Sequence, residues 1–152
     1  MRTSPLGIAI IQFFENYRDK AYRDSGGVLT AGWGHTGSDV TESTTCTPQK
    51  ALDWLMGDLA VEETGVTHDV KVPLTQHQFD ALVSLAYNAG TVVLEHRTGE
   101  VWVESTLLHL LNNGQIGPAA EQFLAWDHVN GAPNAGLLRR RQLEKALFLD
   151  GV

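Results

Sequence analysis

The segment Phe14-Glu15-Asn16-Tyr17-Arg18-Asp19-Lys20-Ala21-Tyr22-Arg23-Asp24-Ser25-Gly26-Gly27-Val28-Leu29-Thr30-Ala31-Gly32-Trp33-Gly34-His35-Thr36 passes from the end of an apolar run into a glycine-punctuated, β-forming pattern. Ser25-Gly26-Gly27 between two such runs reads as the turn of a β-hairpin. With three residues in that turn, Asp24 opposes Val28 and Tyr22 opposes Thr30, so Asp24 and Thr30 point the same way. A two-residue turn would put them on opposite faces, because side chains alternate along a strand.

On the N-terminal side, Ser4 as N-cap and Pro5 at the first helical position announce a helix. Leu6, Ala9, Ile10, Phe13 and Phe14 recur at helical spacing and predict one apolar stripe, with Ile8 and Ile11 off it. Glu15 then falls in the last turn of a helix that is apolar nearly all round. On the C-terminal side, Thr47-Pro48 starts a segment of roughly twenty residues in which Ala51, Leu52, Leu55, Leu59 and Val66 give helical spacing. Its length and acidity suggest a strut between lobes rather than a core helix. Thr75-Gln76-His77-Gln78 is a capping box, opening a buried helix with Phe79, Leu82, Val83 and Ala86 that Gly90 stops. Further helices are expected from Ser105 to near Gly114, from Pro118 to Trp126, and after Gly136 through Leu149. The fold class is α+β. A small hairpin-bearing N-terminal lobe (about 15–46) is joined by a long helix (about 47–70) to a helical C-terminal lobe (about 71–152), which also takes in the N-terminal helix.

Of the 152 residues, 43% are hydrophobic and 19% charged, enough for one domain that needs no disulfide. Cys46 is alone, which excludes an intramolecular bridge. The apolar run at residues 5–14 is far short of the about 20 residues of a spanning helix, and lacks a signal peptide's flanks. Neither a membrane anchor nor an export signal is expected. The net charge is −7, and residues 39–69 hold seven carboxylates against Lys50 alone. The only basic cluster is Arg139-Arg140-Arg141, so nucleic-acid binding is not expected. The six histidines show no His-Glu-x-x-His spacing and have no cysteine partners, so no metal is expected.

Three residues suggest chemistry. The negative end of the helix dipole and apolar neighbours both favour a protonated Glu15, as a general acid requires. Asp24, in a polar turn, should stay ionised, and Thr30 could hold a water through its hydroxyl. Two carboxyl groups with opposed environments are the recurring device of glycoside hydrolysis. Each residue also has an ordinary reading: a solvated Glu, a turn Asp and a β-forming Thr.

Residues 14–36 resemble the catalytic segment of phage-type lysozymes, the endolysins of tailed phages. That family carries Glu, eight residues, Asp or Cys, five residues, then Thr. Glu15, Asp24 and Thr30 stand at those intervals, followed by a Gly-aromatic-Gly-His strand at residues 32–35. Residues 73–90, Ser105-Thr106-Leu107-Leu108 and Gly136-Leu137-Leu138-Arg139-Arg140-Arg141 are similar to later family landmarks, in order. The resemblance implies a two-lobed, lysozyme-like muramidase that hydrolyses the β-1,4 bond between N-acetylmuramic acid and N-acetylglucosamine in peptidoglycan glycan strands. It implies Glu15 as proton donor, Asp24 as the carboxylate supporting the transition state or the water, and Thr30 as the water-positioning hydroxyl. It leans towards direct attack by water, and no cofactor is implied.

By the same resemblance Thr36, Tyr87 and Ser105 line the cleft, though Tyr87 also suits a core aromatic and Ser105 a helix N-cap. His35 suits a carboxylate partner within the small lobe, and one arginine of the triplet could bridge to Glu15. Two features depart from the family: Asn16 where Gly is common, and a longer link at residues 91–104 that could form a lip or small hairpin. The implied enzyme is a monomer held in the host cytoplasm until a holin pore releases it, after which it acts on the cell wall in the periplasm. The rival readings are a lytic transglycosylase on the same bond and a catalytically inactive glycan-binding domain.

Overall fold

Helix α3 (Gln76–Ala89) carries the packing in the computed structural model, which describes residues 1–24, 26–98 and 101–150. Residues 78–86 of this helix are all buried, as expected of a helix surrounded by others. Its capping box is formed as read: Thr75 accepts from the backbone of Gln78, whose side chain accepts from the backbone of Thr75. Gly90 ends it with φ +83, a conformation that suits glycine.

Helix α1 (Pro5–Glu15), capped by Ser4, packs on α3 through a different face from the one predicted. Gly7 and Ile11 are buried, whereas Leu6 is 47% and Phe13 69% exposed. The reason is close approach. An added Cβ at Gly7 would sit 2.8 Å from Cγ of Asp80, so the helices meet where α1 has no side chain. Counting apolar side chains misses a glycine that serves as the contact. Asp80 also accepts from the backbone and hydroxyl of Ser4, fixing the start of α1 on α3.

After α1 come β1 (Arg18–Arg23) and β2 (Leu29–Gly32). Tyr22 pairs with Thr30 and Arg23 with Leu29, the register of a three-residue turn, with an irregularity between Arg18 and Tyr22. Ser25, read as the first residue of that turn, lies outside the described residues. The strand expected to continue over residues 32–35 stops at Gly32. The chain instead doubles back, with Ala31 and His35 exchanging both backbone hydrogen bonds. Gly32 and Gly34 permit this with φ +64 and +90.

Helix α2 (Pro48–Asp69) starts at Thr47 as predicted, but it is a core helix as well as a connector. Leu55, Leu59 and Val66 join the same hydrophobic core as Phe79, Leu82 and Phe148. The helical lobe also carries two short hairpins. The first, β3 (Glu95–Thr98) with β4 (Val101–Glu104), falls in the longer link; Gly99 and Glu100 are outside the described residues. It leads into α4 (Thr106–Asn112), capped by Ser105. Helix α5 (Ile116–Glu121) begins before Pro118 and tightens into a 3-10 turn at Gln122–Trp126. The second hairpin pairs β5 (His128–Val129) with β6 (Ala132–Pro133). Finally α6 (Ala135–Leu149) begins ahead of Gly136, with Asn134 as its cap.

His35 ties the small lobe to α2. Its Nδ1 lies 2.8 Å from Asp58, its Nε2 3.1 Å from Asp39, and its ring stacks on Trp54 with centroids 4.7 Å apart. Burial pulls its pKa down, but the bonds to Asp58 and Asp39 outweigh this and raise it above the ordinary 6.5. A His raised on folding stabilises fully below the unfolded value and loses that contribution as pH rises through the folded one. Denaturant unfolding at about pH 5.5 and about pH 8.5 should therefore show the parent losing stability with rising pH. His35→Gln should lack that part of the pH dependence.

Candidate active site

Glu15, Asp24, Thr30, Thr36 and Tyr87 line a single cleft of about 690 Å³ between the hairpin and the helical lobe. Ser105 does not reach it. Its hydroxyl donates to the carbonyl of Val93 and accepts from the backbone of Leu108, so it is spent on capping α4. Ser105 lines a separate small pocket beside Trp126.

Glu15 is delivered to the cleft by the last residue of α1. The chain turns away at Asn16 with φ +55, which accounts for the glycine common at this place in the resembling family. The carboxylate is not isolated among apolar groups, as the helix pattern suggests. Arg140 donates through one terminal nitrogen to Glu15 Oε1 at 2.5 Å. Arg140 is itself 2% exposed; its Nε donates to Glu144 Oε1 at 3.0 Å, and its other terminal nitrogen to the carbonyl of Ser84 at 3.2 Å. Its guanidinium also lies over the ring of Phe14. Of the triplet, Arg139 faces solvent and Arg141 is fully buried against Glu144 and Asn88. Burial lowers Arg141 to a pKa of about 10, although Glu144 opposes the shift. Burial likewise raises Glu144 against the pull of both arginines.

Asp24 and Thr30 come from the two arms of the hairpin. Asp24 Oδ1 accepts from the backbones of Gly26 and Val28 at 2.9 and 2.8 Å, which orients the carboxylate and closes the turn. Thr30 is 3% exposed and donates to the carbonyl of Val28, leaving its oxygen lone pairs as acceptors. Tyr22 shares the cleft face with Thr30, as the register requires. Burial and the Glu15 charge both raise its phenol's pKa.

Tyr87 holds the opposite wall. Its hydroxyl donates 2.7 Å to the carbonyl of Trp33, strapping α3 to the tight turn after β2. Burial first, then the charges of Asp58 and Glu15, raise its pKa far above the ordinary value. The tight turn thereby brings Gly34 against the acid: an added Cβ there would lie 3.1 Å from Glu15 Oε2 and 3.5 Å from the Tyr87 hydroxyl.

The wall formed by Trp126, His128 and Val129 was not foreseen. Its signal was present in Asn130-Gly131 between Val129 and Ala132, whose φ values of +51 and +78 fit a primed two-residue turn. No sequence signal marked Ser84 or Glu144.

The family model for phage lysozyme matches residues 12–144. The chain belongs to the phage lysozyme family. It is 41% identical to an endolysin of Bacillus phage B103 over 99% of this chain and 55% of that protein. The chain thus spans about half the length of the Bacillus phage relatives it matches. The endolysin of Salmonella phage P22 is 39% identical over 98% of this chain and 99% of its own length. A solved structure of a P22 lysozyme variant superposes at TM-score 0.81 with 39% identity, covering 98% of this chain and 99% of that one. The muramidase domain of SpmX from Asticaccaulis excentricus superposes at TM-score 0.83 with 36% identity over 97% of each chain.

Gly34→Ala should strain the backbone at φ +90 by about 1–2 kcal/mol and displace Glu15 Oε2. Hydrolysis of peptidoglycan, the substrate proposed below, should fall about tenfold or more, a larger loss than the accompanying drop in thermal stability explains. Turbidity assays beside thermal denaturation check this.

Proposed function

We propose that the protein hydrolyses the β-1,4 bond between N-acetylmuramic acid and N-acetylglucosamine in peptidoglycan, acting as an endolysin. Glu15 gives its proton to the glycosidic oxygen as the bond to the muramic acid carbon breaks. A water held by Thr30 attacks that carbon and passes its proton towards Asp24, whose negative charge also steadies the oxocarbenium-like transition state. Tyr87 and Thr36 bound the sugar site, and no metal or organic cofactor enters.

The observation that carries this reading is that Glu15, Asp24 and Thr30 border one cleft, from the end of a helix and both arms of a hairpin. Membership of the phage lysozyme family supports the same chemistry. Substrate affinity then has to come from contacts in the cleft. A chain of net charge −7 gains nothing from long-range attraction to an anionic wall. We further propose a monomer that waits in the host cytoplasm and reaches the wall through a holin pore. Among the described residues no helix is long and apolar enough to cross a membrane.

Glu15→Gln should fold like the parent and lose wall-lysing activity by about 10²–10⁴-fold, the usual worth of a general acid. Retained activity would contradict the role of Glu15. Mass analysis of the released muropeptides should show hydrated reducing ends. An anhydro end, lighter by one water, would instead mark a transglycosylase, and no release of fragments would mark a glycan-binding domain.

A further inference from the structure

From the cleft inward runs a row of four charges that alternate in sign: Glu15, Arg140, Glu144 and Arg141. The last three are 2% exposed or less. Glu144 never reaches the cleft, yet it takes the Nε of Arg140, the hydroxyl of Ser84 at 2.7 Å, and the side chain of Arg141. Ser84 also accepts from Arg140 through its carbonyl. These contacts leave one terminal nitrogen of Arg140 to meet Glu15 Oε1, while Oε2 lies beside Gly34.

This arrangement answers a difficulty. An arginine committed wholly to a proton donor would hold it charged and stop it from carrying a proton. Glu144 divides that positive charge in a space where water cannot screen it. We propose that Glu144, anchored by Ser84, is a positioning residue for the reaction: it balances Arg140 so that Glu15 is oriented by the guanidinium yet can still hold its proton. The proposal rests on Glu15 as proton donor. The other ionisable groups around Glu15 among the described residues are Tyr22 of β1, Tyr87 of α3, and Asp24 and His128 on the walls of the cleft, with Asp58 and Glu62 of α2 acting on Tyr87; the substitutions below leave all of them unchanged.

The test is the pH profile of wall hydrolysis at saturating and limiting peptidoglycan, with folding followed by circular dichroism. Glu144→Gln removes the balancing charge and should move the alkaline limb of kcat down by about one pH unit, with KM unchanged. Glu144→Asp keeps the charge and should return the limb to the parental position. Arg141→Met removes positive charge from the far end and should move the limb in the opposite direction. Ser84→Ala, which removes one hydroxyl and no charge, should lower kcat about fivefold at unchanged KM. Limbs that stay in place in folded Glu144→Gln and Arg141→Met, or a parental kcat in Ser84→Ala, would overturn the proposal. Activity retained by Glu15→Gln would instead sink the proton-donor reading itself. An inactive Glu15→Gln together with unmoved limbs would sink only the role of Glu144.

Discussion

Arg140 joins a carboxylate in the core to a carboxylate in the cleft, and water scarcely touches it. A guanidinium so placed is tolerable only because every face is met: Glu144, the carbonyl of Ser84, Glu15 and the ring of Phe14. Removing one partner of such a buried pair leaves an uncompensated charge and costs about 3–5 kcal/mol. The end of α1 is therefore fixed against α6 by charge as well as by packing. The position of Glu15 follows from the interior of the helical lobe.

The hairpin is placed by a second set of ties. His35 holds it to α2 through Asp58, the Tyr87 hydroxyl holds the turn after β2 to α3, and the Tyr17 hydroxyl donates to the carbonyl of Cys46. Two of these reach the tight turn at Gly32 and Gly34, where Gly34 lies against Glu15 Oε2. Asp24 lies at the turn end of the same hairpin, tied to the backbones of Gly26 and Val28, and the buried Thr30 lies two residues before Gly32 on β2.

Much of this was readable in the residues because local chemistry determined it. Thr47, Thr75 and Ser105 each announced a helix start that a side-chain hydroxyl does form, and the spacing of Asp24 and Thr30 carried the hairpin register. What escaped was set by tertiary approach. The stripe of Leu6 and Phe13 reads as core, but α1 docks through Gly7, which no hydrophobic pattern counts. Helix α2 looks like an acidic strut, yet a narrow line of Leu55, Leu59 and Val66 suffices to bury one side. Residues 32–35 look β-forming, and only the paired positive φ values of Gly32 and Gly34 fold them back on themselves. At the site, the partner of Glu15 could be narrowed to a triplet of arginines. Burial then separated Arg140 and Arg141 from Arg139, and no pattern along the chain linked them to Ser84.

The most direct measurement is a crystal structure of the full chain carrying Glu15→Gln, soaked with a peptidoglycan hexasaccharide. The account predicts the glycan along the cleft, with one bridging oxygen within hydrogen-bond reach of side chain 15. The adjoining anomeric carbon should face Asp24, with an ordered water on the Thr30 hydroxyl. A glycan bound elsewhere, or one whose bridging oxygens all lie away from residue 15, would contradict it.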